Sequence, residues 1–149
     1  MKSTMNQKEI SDLLREAEVG HLATLGPQGP YVIPVHYAYD MDKIYFHCGT
    51  EGKKLENIKY DPRVCFQVEE MMEITPHQSP CKYNTRYRSV IVEGRVDYVT
   101  DEAAKMHALN SIVEKYKRGK ISVKIESEKA RATVVVAITP SLITGKKNI

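Results

Sequence analysis

Beyond residue 20, apolar and polar side chains alternate in a series of short segments that turn residues separate. Period-2 alternation is typical of β-strands with one buried face, whereas an α-helix repeats every 3.6 residues. The segments with this pattern are 21–25, 31–39, 43–48, 63–69, 86–99 and 133–139. Their order favours hairpin-like antiparallel pairing, because the regular βα alternation of a parallel sheet is missing.

A few predicted helices interrupt the strands. An amphipathic helix with Asn6 or Thr4 as its cap precedes the first strand, and a short helical stretch follows the third. A longer helix begins at Thr100, while residues 70–85 have two prolines and no clear period and predict a long excursion. The chain is therefore predicted to be mainly β with helices (α+β), an antiparallel and nearly closed barrel in one domain over residues 1–149.

Composition excludes several classes of partner. The 149 residues carry 22 Lys and Arg against 19 Asp and Glu, a net charge of +3 that is too mild to indicate nucleic acid. No apolar run approaches the roughly 20 residues of a membrane helix, and the first ten residues lack the apolar block of a signal peptide. Three cysteines without CxxC spacing argue against a disulfide framework or zinc site. We expect a cytoplasmic protein without nucleic-acid or membrane partners.

Residues 48–54, with the sequence CGTEGKK, lie between a predicted strand and a predicted helix. A phosphate group favours free backbone N–H donors, a helix N-terminus and a nearby ammonium group. Gly52 permits close approach of the backbone, and Lys53 and Lys54 supply charge. The loop is not a Walker A motif, and a solvated turn with two surface lysines explains it equally well.

Two further segments are candidates for ligand contact. Pro34 lacks an N–H donor, so its strand either lies at a sheet edge or directs its backbone toward a flat ligand. Residues 85–89, TRYRS, combine guanidinium groups, an aromatic ring and hydroxyls, which suit a phosphorylated planar partner. The alternative is a strand end rich in solubilising residues, and the residues alone favour that alternative.

Histidines offer a possible metal site. His36 and His47 lie on adjoining predicted strands, and Cys48 follows His47. Two imidazoles and a thiol can bind a transition metal. Adjacent strand residues point to opposite faces, however, so the side chains of His47 and Cys48 diverge. We therefore expect no metal site.

Five stretches together resemble the FMN-binding split-barrel family, the pyridoxamine 5′-phosphate oxidase-like group, and within it the nitroimidazole-resistance (Nim-type) branch. They are GHLAT at 20–24, YVIPV at 31–35, KIYFH at 43–47 with GKK at 52–54, YRSVIVEGR at 87–95 and LITGK at 142–146. The resemblance implies a six-stranded antiparallel split β-barrel that forms a homodimer with FMN at the interface. The segment 70–84 matches no pattern of the family, which leaves the substrate open.

The resemblance also implies site residues. Residues 32–35 would run along the isoalloxazine ring, residues 45–48 with the GKK loop would hold the ribityl phosphate, and residues 85–89 would come from the second subunit. His47 would lie nearest the substrate and is the candidate catalytic residue. The implied cofactor-binding residues are Val32, Ile33, Pro34, Val35, His36, Tyr45, His47, Cys48, Gly52, Lys53, Lys54, Thr85, Arg86, Tyr87 and Ser89.

The function implied is an FMN-dependent oxidoreductase. It would pass electrons from a reduced nicotinamide through the flavin to a small acceptor such as a nitroaromatic. The alternative is a non-catalytic flavin- or haem-binding protein for storage, sensing or sequestration, and a third hypothesis is a structural barrel without a ligand. A cofactor would carry the reaction, because the sequence contains no catalytic triad order and no GxSxG elbow.

Overall fold

The computed structural model describes residues 1–120 and 124–149. The described part contains four α-helices and eight strands of one antiparallel sheet. The helices are α1 (Gln7–Glu16), α2 (Lys53–Tyr60), α3 (Glu102–Tyr116) and α4 (Ser127–Ala132). The strands are β1 (Lys2–Thr4), β2 (Gly20–Gly26), β3 (Gly29–Val35), β4 (Ala38–Asp40), β5 (Lys43–Cys48), β6 (Arg63–Thr75), β7 (Asn84–Tyr98) and β8 (Val134–Asn148). No helix in these two ranges is long and apolar enough to cross a membrane.

The strand order is β3-β2-β6-β7-β8-β5-β4, and β1 pairs with β8. The two ends of this order, β3 and β4, are joined by only His36 and Tyr37. A link of two residues spans only about 10 Å, so the sheet curves until its ends meet. The predicted class is confirmed: a mainly β protein with helices, built on an antiparallel split barrel. The described strands number eight rather than six, because residues 2–4 add a strand and one predicted strand is interrupted.

The interruption occurs at Tyr37, which is fully buried in the barrel core. Its backbone N–H donates to the Tyr116 hydroxyl at 3.1 Å, and its own hydroxyl donates to the Leu14 carbonyl at 2.6 Å. Its ring meets Phe66 edge-on, with the centroids 4.8 Å apart. These contacts tie α1 and α3 to the barrel at one point. The continuous strand predicted for 31–39 was therefore wrong.

The largest error in the sequence-based prediction concerns residues 70–85. Half of this segment is strand: β6 continues to Thr75, which pairs with Asn84 at the far end of β7. Opposite charges face each other across the pair, with Glu70 2.5 Å from Arg88. Nearly all side chains of this arm are exposed, so no alternation distinguishes a buried face from a solvated one. A search for period-2 alternation of apolar and polar residues therefore could not detect this hairpin.

The observed starts of the helices agree more closely with the positions predicted from the sequence. The Asn6 side chain accepts the Glu9 N–H at 2.9 Å, and the Glu9 carboxylate accepts the Asn6 N–H at 2.9 Å. This capping box confirms Asn6 as the cap of α1. The cap of α3 is Asp101 rather than the predicted Thr100, because the Asp101 carboxylate accepts the Ala104 N–H at 2.9 Å.

The last strand extends well beyond its predicted end at residue 139. A register shift between Glu93 and Gly94 lets β7 and β8 stay paired from Tyr98 to Tyr87. A Cβ at Gly94 would lie 2.4 Å from the Thr139 carbonyl oxygen. Glycine is thus required at this irregularity, where β8 crosses closely.

Candidate functional site

The N-terminus of α2 is open. Gly52 is its cap, with φ +131° and ψ 164°, a conformation that is almost restricted to glycine. Among the described residues, no side chain caps this end. The N–H groups of the first turn have no carbonyl partner within the helix, so this turn offers backbone donors and the positive end of the helix dipole.

The two lysines in the first turn of α2 lean toward the barrel. The Lys53 ammonium lies 4.8 Å from the ring centroid of Tyr31 on β3, and the Lys54 ammonium lies 5.5 Å from the ring centroid of Phe46 on β5. Lys53 is exposed, whereas Lys54 is half-buried. The start of α2 therefore faces the opening between β3 and β5.

This opening exists because β4 is short. Its three residues pair with Lys43–Tyr45, which leaves the β5 residues Phe46–Cys48 unpaired on that side. β3 pairs with β2 alone among the described strands, so its other edge is free as well. Of the two alternatives for the strand of Pro34, the structure shows the edge position, and contact of its backbone with a flat ligand stays a prediction. We name this opening, bordered by β3, the end of β5 and the start of α2, the β3–β5 cleft.

Four titratable groups, His36, His47, Cys48 and Lys54, lie near one another at the β3–β5 cleft. Burial, the Lys54 ammonium and the His36 imidazole, in that order, lower the pKa of His47 from its ordinary value of 6.5. A lowered pKa keeps the imidazole neutral at pH 7. Burial raises the pKa of the neighbouring Cys48 thiol, with Lys54 acting in the opposite direction. His47 is thus a neutral hydrogen-bonding group beside a cation.

A buried asparagine fixes α2 in place. The Asn57 side-chain amide donates to the Thr24 hydroxyl of β2 at 3.0 Å, and both residues are buried. A Cβ at Gly26 would lie 2.0 Å from the Asn57 side-chain oxygen, so glycine is needed for the close approach. Sequence reasoning missed Asn57; the signal was a polar residue between the apolar Leu55 and Ile58 of an amphipathic helix.

The end of α3 forms part of the border of the cleft. The Tyr116 ring lies 4.8 Å from the His36 ring, centroid to centroid. Its hydroxyl donates to the Glu18 carbonyl at 2.7 Å and also accepts the Tyr37 N–H. Sequence reasoning also missed Tyr116, because its helical spacing marks it as a core residue and gives no sign of His36.

The predicted β3 residues divide by face. Val32, Pro34 and His36 point outward, and the Val32 side chain is 63% exposed. Ile33 and Val35 point inward toward the core. Every second residue of this segment therefore presents its side chain outward, and the free edge of β3 presents backbone groups to the cleft.

Tyr45 lies apart from the other predicted site residues. It is buried in a second apolar cluster that includes Ala108 and Leu109 of α3 and Ala130 of α4. Its position on β5 agrees with the prediction, but its side chain packs under the helices. A direct contact between Tyr45 and a cofactor remains a prediction.

The segment Thr85–Ser89 lies away from the cleft within one chain. His47 on β5 pairs with Val135 on β8, and the next residue of β8 pairs with Tyr98 on β7. Ser89 lies nine residues before Tyr98 on β7. At about 3.3 Å per residue, this separation is roughly 30 Å along the strand from His47. On the β3 side the segment lies closer, because Pro34 is in register with Ile91 at three strand spacings, or about 14 Å. Thr85, Arg86, Tyr87 and Ser89 are therefore not brought to the cleft of their own chain.

Comparison with known proteins places this fold and cleft in a family. The sequence profile of the pyridoxamine 5′-phosphate oxidase family matches residues 6–147. The chain belongs to this family. Its split barrel is the fold of that family, and the cleft lies on residues within the matched range.

Solved structures of similar proteins agree with this assignment. A putative 5-nitroimidazole antibiotic resistance protein from Bacteroides thetaiotaomicron has a TM-score of 0.82 and 25% identity, covering 98% of this chain and 87% of that one. An FAD-binding protein from Mesorhizobium loti has a TM-score of 0.74 and 25% identity, covering 100% and 99%. An uncharacterised protein of Rhizobium meliloti is 24% identical over 91 residues, which span 61% of this chain and about half, 53%, of the relative.

Proposed function

We propose that this family member binds FMN in the β3–β5 cleft and acts as a flavin-dependent oxidoreductase. In this proposal electrons pass from a reduced nicotinamide to a small acceptor such as a nitroaromatic. The observation that supports it most is the uncapped start of α2, which carries Lys53 and Lys54 into the cleft beside the free edge of β3.

The residues present fit a flavin phosphate. A phosphate group needs several N–H donors and positive charge, and the first turn of α2 offers both. The positive φ of Gly52 favours glycine at this position, and a Cβ at Gly52 would meet nothing within 4 Å, so the space beside it is open. Lys54, half-buried against Phe46, adds an ammonium that is partly shielded from solvent.

The free edge of β3 fits a flat polar ring. Half of the peptide groups of an edge strand point away from its partner and are free to bond a ligand. Pro34 removes one donor from such an edge and so disfavours pairing with another strand. The exposed Val32 side chain supplies an apolar surface next to these groups.

Bound FMN would supply the hydride-accepting ring and the route for electrons. In this scheme α2 anchors the phosphate, and the backbone of β3 orients the ring. His47, neutral because its pKa is lowered, donates a hydrogen bond rather than a proton at pH 7. Tyr116 fixes the His36 ring at the edge of the cleft.

A homodimer is part of the proposal. Outward side chains of β7 and β8 include Ile91 and Leu142, two neighbouring apolar residues that are 42% and 52% exposed. Since Thr85–Ser89 lies roughly 30 Å along the sheet from His47 of its own chain, we infer that it serves the cleft of a second chain, as the family resemblance implies. The expected assembly therefore pairs these outer faces.

The absorption spectrum of the purified protein is the primary test. Oxidised flavin absorption supports the proposal, whereas a Soret band favours the haem-binding alternative and a colourless protein that takes up neither contradicts both. Steady-state oxidation of NADH and NADPH with nitro compounds then separates enzyme from carrier. Turnover no faster than that of free FMN would favour the non-catalytic alternative. The similarity to the B. thetaiotaomicron protein motivates the choice of nitro acceptors.

The dimer is tested by sedimentation of an Ile91→Glu variant. A charge at the centre of an apolar interface should produce monomers. Met41→Glu is the matched control, because Met41 is 65% exposed and lies in the turn between β4 and β5. A wild-type chain that sediments as a monomer would contradict this part of the proposal.

A further inference from the structure

A second cavity of about 710 Å³ lies between α1, β4 and the end of α3, outside the β3–β5 cleft. Its volume is in the range of small-molecule sites. We propose that it binds a small organic anion with one carboxylate or phosphoryl group, held by Arg15 of α1 and Lys115 of α3.

The four carboxylates that line the cavity already have cationic or histidine partners. These contacts are Glu16 with Arg88 at 3.5 Å, Glu18 with Arg118 at 2.9 Å, Glu114 with Lys117 at 2.5 Å, and Asp40 with His107. Each of the four carboxylates thus has a cationic or histidine group within 4 Å, and Glu16 shares Arg88 with the closer Glu70.

The two remaining cations are different. Arg15 lies with its guanidinium carbon 5.4 Å from the ring centroid of Tyr39, and no carboxylate among the described residues pairs with it. The Lys115 ammonium lies 3.5 Å from the ring centroid of Tyr37, is shielded from solvent, and has no hydrogen-bond partner in the described part of the chain. Both cations rest on aromatic faces, and among the described residues neither has a carboxylate at ion-pair distance.

An ammonium group that is shielded from water without a hydrogen bond is costly for the fold, and an anion that bonds it recovers this loss. Burial lowers the pKa of Lys115 to about 8, partly opposed by Glu18, so the amine is still mostly protonated at pH 7. A guanidinium fork binds the two oxygens of a carboxylate or phosphoryl group. The pair Arg15 and Lys115 therefore favours an oxyanion over a cation or a neutral ligand.

The cavity and the proposed flavin site share one residue. Tyr116 lines the cavity, and its ring contacts His36 at the edge of the β3–β5 cleft. The anion site rests on its own residues and not on the flavin, so the two proposals fail separately.

Isothermal titration with benzoate and with phenyl phosphate tests the inference on the full chain, as purified. We expect at least one probe to bind the wild type with a dissociation constant of about 1 mM or tighter. Lys115→Met keeps the apolar stem and removes the charge, and should weaken binding at least about tenfold, the effect of one charge-assisted hydrogen bond. Lys105→Met is the matched control, since Lys105 lies on the same helix but contacts the Arg131 carbonyl outside the cavity.

Arg15→Gln is a second variant, on an exposed position of α1, and keeps the test valid if Lys115→Met does not fold. It should also weaken binding at least about tenfold. Preference for benzoate assigns the site to carboxylates, and preference for phenyl phosphate assigns it to phosphoryl compounds. Absence of binding of both probes to the wild type, or equal binding to the folded Lys115 and Arg15 variants, would overturn the inference.

Discussion

The charge at the start of α2 gives the sharpest test of the proposed FMN site. Lys54→Met removes the ammonium but keeps an unbranched apolar stem that still packs against Phe46. We expect this variant to bind FMN less tightly because the phosphate loses a partly shielded cation. Riboflavin, which lacks the phosphate, should bind the variant and the wild type equally.

The structure sets the size of the effect. A hydrogen bond to a charged group contributes about 1.5–3 kcal/mol, which corresponds to roughly 10- to 150-fold in affinity for the half-buried Lys54. Lys53 is exposed, and an exposed ion pair contributes only about 0.2–1 kcal/mol, or less than about fivefold. Lys53→Met should therefore have the smaller effect, and the double variant should lose at least about tenfold.

Flavin fluorescence quenching measures both affinities on protein freed of cofactor. Lys59→Met is the control, because Lys59 is exposed in the last turn of the same helix and its removal changes the net charge equally. A second readout needs no flavin: since the Lys54 charge lowers the pKa of His47, Lys54→Met should raise the His47 titration midpoint in NMR. Equal FMN losses in the Lys54 and Lys59 variants, or an equal loss of riboflavin affinity, would refute the phosphate assignment.

Three further variants test the scaffold and the cleft. Gly26→Ala should destabilise the fold by about 1–3 kcal/mol in urea unfolding, because its Cβ would lie 2.0 Å from the Asn57 oxygen, whereas Gly49→Ala has open space and should be nearly neutral. Tyr37→Phe removes a buried hydroxyl that donates at 2.6 Å and should cost about 1–3 kcal/mol in the same assay, an unchanged midpoint being the contrary result. The pKa of His47 is lower in the folded state than in the unfolded one, so its protonation favours unfolding, and stability should fall as the pH drops below about 6.5. The corresponding variant, His47→Gln, should have a flatter pH dependence of the unfolding free energy in that range, and an unchanged slope would contradict the assignment.

The fold was predictable where one face of a strand is buried. The alternation around Phe66 and Val92 located two strands, because these side chains are fully buried while their neighbours are solvated. The same test failed for the extended arm of β6 and β7. There residues 69–75 are exposed on both faces, no residue of 84–89 is buried, and cross-strand charges such as Glu70 and Arg88 replace a core. It also failed at Tyr37, because a hydroxyl on a distant helix takes its backbone N–H out of the ladder.

The candidate site was also predictable only in part. Local chemistry, two glycines followed by two lysines, was enough to indicate the start of α2 as an anion site. The contacts of Tyr116 with His36 and of Asn57 with Thr24 join residues that are 80 and 33 positions apart in the chain. No local pattern specifies such pairs, since they depend on how helices dock on the finished barrel.

The separation of the cleft from Thr85–Ser89 connects cofactor binding to assembly. A monomer offers only the α2 and β3 part of the proposed site, so a flavin that needs both parts binds tightly only to a dimer. In that case FMN affinity depends on protein concentration, by mass action. Ile91→Glu should weaken FMN binding even though Ile91 is far from the α2 lysines, whereas Lys54→Met should leave the sedimentation of the apo-protein unchanged. Full FMN affinity in a monomeric Ile91 variant would show that one chain suffices, and would remove Thr85–Ser89 from the site.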